Sequence, residues 1–209
     1  MSKPLILIGG GGHCKSVIDV AEEAGYTILG ILDRSIPIGS TVLGYEVLGN
    51  DDLVKPFLNK AEFLVTVGQI KSPEIRIRLN KMVKDAGGKL ATIISPTAHV
   101  SKHATIGDGT MVMHQAVVNA GACIGEGCII NTFSCIEHDV IIGDYCHIST
   151  GAMVNGEVEI GKGVFIGSQA VVNQCVRICD LAVIASGTVV NKDVNNLGVY
   201  AGNPINKIQ

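Results

Sequence analysis

Two hydrophobic patterns divide the chain. In the first 90 residues, short apolar runs alternate with segments whose apolar residues recur at helical spacing. This pattern predicts strands at residues 4–8, 27–33 and 61–67, and helices near residues 13–24 and 73–86. Strands that alternate with helices indicate a small parallel sheet covered by helices, so we predict a Rossmann-like α/β domain at residues 1–90.

The second pattern, within residues 91–209, is a six-residue repeat. Every sixth residue from Ile94 to Val190 is Val or Ile, and the residue two positions earlier is mostly small or β-branched. Glycines at positions 107, 125, 143 and 161 recur at every third repeat. Because residues two apart in a strand share a face, the repeat predicts a parallel β-helix with a Val/Ile stack inside. We expect about five coils of three strands each, with corners that need Gly, Asn or Asp.

Composition and charge narrow the possible functions. Glycine makes up 26 of the 209 residues and aromatic residues only 4%, as expected for tight turns. A net charge of −3 without Lys/Arg clusters argues against a nucleic-acid partner. We see no signal peptide and no apolar run near the ~20 residues of a membrane span, and expect a soluble cytoplasmic protein. The seven cysteines lack C-x-x-C spacing, so we expect reduced thiols and no metal site.

A glycine-rich turn follows the first predicted strand, in the stretch LILIGGGGHCKSVID from Leu5 to Asp19. The dinucleotide fingerprint G-x-G-x-x-G is incomplete, because Cys14 or Lys15 stands where its third glycine belongs. Backbone N–H groups at the start of the following helix still predict an anionic or polar ligand. Asp33 ends the second strand, where a Rossmann-like domain places a ribose-binding carboxylate. A turn-forming Asp-Arg-Ser sequence is the alternative for Asp33.

Several motifs together resemble the PglD/NeuD-type group of sugar acetyltransferases. These are GGGGHCKSVID at 9–19, ILD at 31–33, VTVGQ at 65–69, SPTAHVS at 95–101 and NTFSCIEHDVIIGDYCHISTGA at 131–152. That group acetylates nucleotide-linked amino sugars or sialic acids with acetyl-CoA. The hexapeptide repeat itself resembles that of the left-handed parallel β-helix acyltransferases, which are trimers with acetyl-CoA between neighbouring prisms. The resemblance therefore implies a left-handed β-helix, a homotrimer, and acetyl-CoA as cosubstrate. A UDP-4-amino sugar is the expected acceptor, and sialic acid O-acetylation is the alternative.

The resemblance also implies which residues bind the substrates. Those that match the family's nucleotide contacts are Gly11, Gly12, His13, Asp33, Arg34 and Gly68. Arg34 departs from the second acidic residue that some members carry. In the β-helix, the implied general base is His138, and His147 is expected to contact the thioester end of acetyl-CoA. Backbone N–H groups at Gly156 and Ser168 are the expected donors to the oxyanion and the pantetheine arm.

The positions of the two histidines constrain the site. His138 lies in a corner two residues after an inward isoleucine, and His147 directly precedes one, so both should face out of the prism. Their separation of nine residues is half a coil, which places them on different sides of one chain and requires a second subunit if they share a site. Glu137 and Asp139 flank His138, and the family position favours Asp139 as the carboxylate that orients the base. A corner is needed, because adjacent side chains in a straight strand point oppositely.

Three other interpretations compete with direct acetyl transfer. A covalent route through Cys135 is disfavoured by its alternate small-residue position. A zinc enzyme of the γ-class carbonic anhydrase type would need converging histidines, and no H-x-x-x-x-H spacing occurs. A non-catalytic binder of nucleotide sugars would leave the EHD motif without a role. We expect the remaining β-helix histidines, His99, His103 and His114, to be ordinary surface residues.

Overall fold

The computed structural model describes residues 4–51 and 53–209. The α/β domain contains β1 (Leu5–Ile8), α1 (Gly12–Glu23), β2 (Ile28–Leu32), β3 (Thr41–Val42), β4 (Tyr45–Gly49), a 3-10 helix (Lys55–Phe57), β5 (Glu62–Val65) and α2 (Glu74–Asp85). The sheet order is β3-β4-β2-β1-β5, and all neighbours are parallel except the β3–β4 pair. The three predicted strands and both predicted helices are present, with bounds that differ by two residues at most.

The hairpin of β3 and β4 was not predicted. Its two-residue turn is Leu43-Gly44, with φ of 49° and 88°, as a tight hairpin turn requires. A Leu-Gly pair lacks the Asn-Gly or Asp-Gly signature of such turns, so this hairpin has no recognisable signal in the sequence. The hairpin adds β4 beside β2 and so brings Asp51 to the carboxyl edge of the sheet.

Alternate residues of the central strand β1 pack into two hydrophobic cores on opposite faces of the sheet. Leu5 and Leu7 pack on the same side as α1, whereas Ile6 and Ile8 pack on the side of α2. The α1 core also includes Met111 of the β-helix, so the two domains share buried apolar surface. In the segments that the structure describes, no helix has the length and apolar character needed to cross a membrane.

The β-helix begins at Ile93. Its seventeen strands, β6 to β22, are Ile93–Ile94, His99–Val100, Thr105–Ile106, Met111–Val112, Val117–Val118, Cys123–Ile124, Ile129–Ile130, Cys135–Ile136, Ile141–Ile142, His147–Ile148, Met153–Val154, Glu159–Ile160, Phe165–Ile166, Val171–Val172, Arg177–Ile178, Val183–Ile184 and Val189–Val190. Each strand from β6 to β19 pairs in parallel with the third strand after it along the chain, which gives five complete coils and two strands of a sixth. Two more strands, β23 (Val199–Ala201) and β24 (Asn206–Lys207), extend the last coil.

The β-helix has three faces, each formed by one parallel sheet. The first face carries β6, β9, β12, β15, β18, β21 and β23; the second carries β7, β10, β13, β16, β19 and β22; the third carries β8, β11, β14, β17 and β20. From Val112 onward, every residue of the predicted Val/Ile stack is buried. Ile94 is exposed because the first coil has no coil before it to cover it. The predicted parallel β-helix is therefore confirmed.

The expected chemistry of the corners is only partly right. Every sixth residue from Gly109 to Gly187 has a positive φ, and seven of these fourteen positions are neither Gly, Asn nor Asp. Tyr145 (φ 59°) and Leu181 (φ 61°) are examples. The glycines that recur once per coil are needed instead for close approach, since a Cβ at Gly143 would lie 2.9 Å from the backbone of Gly161.

Candidate functional site

The carboxylate of Asp33 ties the glycine-rich turn to the end of β2. Asp33 Oδ2 accepts a hydrogen bond from the Gly10 N–H (2.7 Å), and Oδ1 accepts from the N–H groups of Ser35 (2.7 Å) and Ile36 (3.0 Å). Burial alone would raise the pKa of Asp33, but these backbone donors bring it below its ordinary value. Asp33 therefore has the turn-forming role that the sequence analysis gave as the alternative. The contact with a ribose stays a prediction.

The start of α1 is open to a ligand. Gly11 is the N-cap residue, and among the described residues no side chain caps the helix and no acidic residue occupies its first turn. Gly11 and Gly12 are exposed, and no described atom lies within 4 Å of where their Cβ atoms would be. The uncapped N–H groups and the helix dipole suit an anion, such as a phosphate.

A cavity of about 370 Å3, which we call the sheet-edge cavity, lies beside this turn at the carboxyl ends of the strands. It is lined by Gly9, Asp33, Arg34, Ser35, Asp51, Val67, Ile75, Arg78 and Leu79. Asp33 and Arg34 are expected site residues. Asp51 and Arg78 were missed, because Asp51 follows the unpredicted strand β4 and Arg78 has only the pattern of a polar residue on a helix surface.

The glycine-rich turn also reaches the β-helix. His13, Gly68, Gln69, Ile70 and His147 line a second cavity of about 350 Å3, which we call the bridging cavity. The rings of His13 and His147 lie 6.2 Å apart between centroids. Burial, with a smaller contribution from the nearby charge of Arg76, lowers the pKa of His13 to about 4. The predicted site residues His13 and Gly68 of the α/β domain and His147 of the β-helix therefore line one cavity of the same chain.

His147 lies on β15 and points out of the prism, as predicted, but it is buried beneath the α/β domain and only 7% exposed. Its Nδ1 lies 2.8 Å from the backbone oxygen of Gln69, and its Nε2 lies 3.1 Å from Asn131 Nδ2. Because a carbonyl oxygen only accepts, the ring proton is on Nδ1 and Nε2 accepts from Asn131. Burial lowers the pKa of His147 to about 3, so the ring is neutral at pH 7.

A third cavity of about 660 Å3, which we call the interdomain cavity, lies between the loop after β5 and the first face of the β-helix. Gln69, Ile70, Lys71, His147, Ser149, Phe165, Ser168, Val183, Ala185, Ser186, Val199 and Gln209 line it. The Oγ atoms of Ser149 and Ser168 are 3.0 Å apart. The structure thus brings Ser168 together with His147, as the resemblance implies.

His138 lies at an exposed corner after β13. Its Nδ1 is 2.9 Å from Asp139 Oδ2, and this hydrogen bond raises the pKa of His138. Asp139 has a φ of 60°, which turns its side chain toward that of its neighbour. Glu137 instead accepts a hydrogen bond from Asn119 Nδ2 (3.0 Å). The structure therefore pairs His138 with Asp139, the carboxylate that the family resemblance favoured.

Gly156 lies one coil after His138 and beside its ring, away from the interdomain cavity. His138 follows a strand of the second face, whereas His147 belongs to the first face. The two histidines therefore lie on different sides of the prism, as their spacing predicts. His114, expected to be an ordinary surface residue, instead bonds Asp19 of α1 through Nε2 (3.1 Å). Within residues 4–51 and 53–209, no group of three His, Cys, Asp or Glu side chains is arranged to hold a metal ion.

Comparison with known proteins identifies the family. The PglD N-terminal domain family matches residues 4–83, and the bacterial transferase hexapeptide family (six repeats) matches residues 98–137, 124–156 and 157–192. The acetyltransferase domain of PglB from Neisseria gonorrhoeae, solved in complex with acetyl coenzyme A, is 32% identical, with 100% of each chain covered and a TM-score of 0.93. The chain belongs to the PglD-type family of hexapeptide-repeat sugar acetyltransferases.

Two further solved structures resemble this acetyltransferase. PerB from Caulobacter crescentus, in complex with CoA and GDP-perosamine, is 30% identical over 99% of this chain and 97% of its own, with a TM-score of 0.92. WeeI from Acinetobacter baumannii, at 22% identity, covers 98% of this chain and 99% of its own with a TM-score of 0.88, which supports the fold. A comparison with the sequences of curated proteins found no match.

Proposed function

We propose that this acetyltransferase moves the acetyl group of acetyl-CoA to the amine of a nucleotide-activated amino sugar, with a UDP-4-amino sugar as the first candidate. The observation that carries the proposal is the His138–Asp139 hydrogen bond at an exposed corner, which leaves Nε2 of the ring open to a substrate. Similarity to structures solved with acetyl-CoA, and with CoA and GDP-perosamine, supports both substrate classes.

The nucleotide half of the substrate fits the α/β domain. The uncapped N-terminus of α1 offers backbone N–H groups to the diphosphate at Gly11 and Gly12. The nucleoside enters the sheet-edge cavity beside Asp33 and Arg34. From the diphosphate, the sugar extends past His13 toward the β-helix, along the path that the bridging cavity marks.

Acetyl-CoA fits the interdomain cavity, whose apolar and serine side chains suit a pantetheine arm. His147 is held neutral, its Nδ1 proton bonds the Gln69 oxygen and its single Nε2 lone pair accepts from Asn131, so it offers the thioester end a packing surface and cannot protonate it. Ser168 lies in the same cavity, and Gly156 lies beside His138. Backbone N–H groups at these two positions are the proposed donors to the cofactor and to the oxyanion.

In the proposed reaction, the amine attacks the thioester carbonyl and His138 Nε2 takes the proton that the nitrogen loses. Asp139 holds the proton on Nδ1 and stabilises the imidazolium that forms. The tetrahedral oxyanion then collapses, the C–S bond breaks, and the proton on Nε2 passes to the departing CoA thiolate. Burial raises the pKa of Cys135, which keeps it a thiol and supports direct attack without an acyl-enzyme.

We also propose a homotrimer with sites between subunits. The outward residues of the second face form an apolar row of Val117, Cys135, Met153, Val171 and Val189. Phe133, 58% exposed, flanks this row. An apolar face of this kind fits a second copy of the chain. Packing that face against a neighbour would bring His138 of one chain near the interdomain cavity of another, which the separation of His138 and His147 requires.

The proposal is tested with the full chain and acetyl-CoA. We would measure thiol release with UDP- and GDP-linked 4-amino sugars and with sialic acids, and identify the product by mass spectrometry. Release that depends on a nucleotide amino sugar, with the acetyl group on nitrogen, is expected. Acetyl transfer to sialic acid oxygen alone would replace this function with the alternative, and no release with any acceptor would contradict it.

A further inference from the structure

Three charged side chains form one wall of the sheet-edge cavity. Asp51 follows β4, and only 8% of its side chain is exposed. Arg34, in the loop after β2, places Nε 3.2 Å from Asp51 Oδ2 and Nη2 3.3 Å from Oδ1. Arg78, on α2, places Nη2 3.6 Å from Oδ2. One buried carboxylate therefore orients two guanidinium groups from different elements.

Both guanidinium groups have donors to spare. Each carries five N–H donors and no acceptor, and Asp51 has too few oxygens to use them all. Arg34 and Arg78 line the cavity, and at least half of each side chain is exposed. Asp51 neutralises one of the two positive charges on this wall, which keeps a formal charge of +1, and the Asp33 carboxylate elsewhere in the cavity balances it. This wall therefore presents N–H donors and positive charge to whatever enters the cavity.

The rest of the cavity suits a flat ring. Val67, Ile75 and Leu79 supply apolar surface, while Gly9 and Asp33 lie at the side nearer the glycine-rich turn. A nucleotide with its diphosphate at the start of α1 and its ribose near Asp33 would place its base between the apolar residues and the two arginines. The polar edge of the base would then face the N–H donors of Arg34 and Arg78.

We propose that Arg34 and Arg78, oriented by Asp51, select a nucleotide whose base presents a carbonyl oxygen, uracil or guanine, over one that presents an amino group, cytosine or adenine. This inference rests on the proposed function, because it takes the sheet-edge cavity as the nucleotide site. A carbonyl oxygen accepts from a guanidinium, as in the pairing of arginine with guanine O6 and N7. An amino group at that position is itself a donor, so neither it nor the guanidinium N–H that faces it would have a hydrogen-bond acceptor.

Titration calorimetry on the full chain tests the selection. UDP and CDP are a matched pair, because the ring carbonyl of uracil at position 4 is an amino group in cytosine. We expect UDP to bind at least about tenfold more tightly than CDP, the discrimination of one lost hydrogen-bond pairing. In Arg34→Met and Arg78→Met the ratio should fall to within about threefold. GDP against ADP gives a second pair, with the same direction expected.

Controls separate selection from general damage. Arg177→Met, an exposed arginine paired with Glu159 on the third face, should keep the wild-type ratio. Arg34→Lys keeps the charge but loses the planar fork, so it should lower the ratio while leaving UDP bound. Acetyl-CoA binding and near-UV circular dichroism on the same samples show that each variant is folded.

The outcomes are distinct. Equal binding of UDP and CDP by the unchanged protein, or a full ratio in both folded methionine variants, would overturn this inference and leave the proposed function standing. Binding of no nucleoside diphosphate at all would overturn the nucleotide half of the proposed function, and this inference with it. A methionine variant that does not fold leaves the lysine variant to decide, and an unchanged ratio there also overturns the inference.

Discussion

Gly156 lies directly against the imidazole ring of His138: a Cβ at position 156 would come within 2.7 Å of His138 Nε2. The two residues occupy equivalent positions on successive coils. A hydrogen at position 156 therefore leaves room for the ring in the orientation that its bond to Asp139 fixes.

Replacing this glycine should misplace the ring of His138, the proposed base. Gly156 lies outside the left-handed region, so its backbone tolerates alanine, and the added methyl group must push the ring. We expect Gly156→Ala to lower kcat by ~10- to 100-fold, as misplacing a catalytic group by about 1 Å does, with the melting temperature nearly unchanged. Steady-state kinetics and thermal unfolding check this. Wild-type kcat would mean that the ring position is not critical.

Removing the proposed base, His138, should affect the chemical step more than substrate binding. We expect His138→Ala to lower the rate by ~10²- to 10⁴-fold, the usual contribution of a general base. The dissociation constant of acetyl-CoA, measured by calorimetry, should change little, because the interdomain cavity lies on another face. His103→Ala, an exposed histidine, is the matched control. Full activity of His138→Ala would refute the assignment.

The pH profile should respond to Asp139. The hydrogen bond with Asp139 raises the pKa of His138, and only the neutral ring accepts a proton, so the rate should rise as pH passes upward through that pKa. Asp139→Asn removes the charge, so the pKa falls and the acidic limb should move to lower pH, with a lower maximal rate. Glu137→Gln should shift the limb less, because Glu137 bonds Asn119. An unmoved limb in Asp139→Asn would contradict the pairing.

The two buried histidines should resist protonation. Burial lowers the pKa of His13 to about 4 and that of His147 to about 3, so neither ring should titrate between pH 5 and 8 in NMR spectra. The unfolded chain binds these protons below about pH 6.5, whereas the folded chain does not. Stability should therefore fall as pH drops from about 6.5 toward 4, by on the order of 1 kcal/mol or more per histidine at pH 5. His13→Gln should flatten this dependence in urea unfolding, and a normal NMR titration of either ring would contradict the burial.

A charge in the apolar row should break the assembly. We expect Met153→Lys, on the second face, to dissociate the proposed trimer, because burying an unpaired ammonium in an apolar interface is costly. Activity should fall with it, because the proposed site is shared between subunits, while circular dichroism stays unchanged. Thr105→Lys, on the exposed third face, is the control. Sedimentation that shows a stable active monomer for the unchanged protein would refute shared sites.

How much of the site the sequence predicts depends on how far apart its parts lie along the chain. His138 and Asp139 are adjacent, and the six-residue period places them at a corner where their side chains can meet, while the resemblance to the family favoured Asp139 over Glu137. The period also correctly turns His147 out of the prism, but its burial was missed, because Gln69, which bonds it, is 78 residues away on another domain. Asp51 and Arg78 were missed because nothing in their local patterns links them.

The sequence by itself determined the β-helix, the helices and main strands of the α/β domain, and the corner position of His138, since each depends on periodicity or on neighbouring residues. Tertiary structure alone decided that His13 meets His147, that Asp51 orients Arg34 and Arg78, and that the loop after β5 forms a wall of the interdomain cavity. The physical reason is that these contacts depend on how the α/β domain packs against the first face of the β-helix. Burial of apolar surface drives that packing, and because the hydrophobic effect is non-directional, the sequence pattern does not show which residues it brings together.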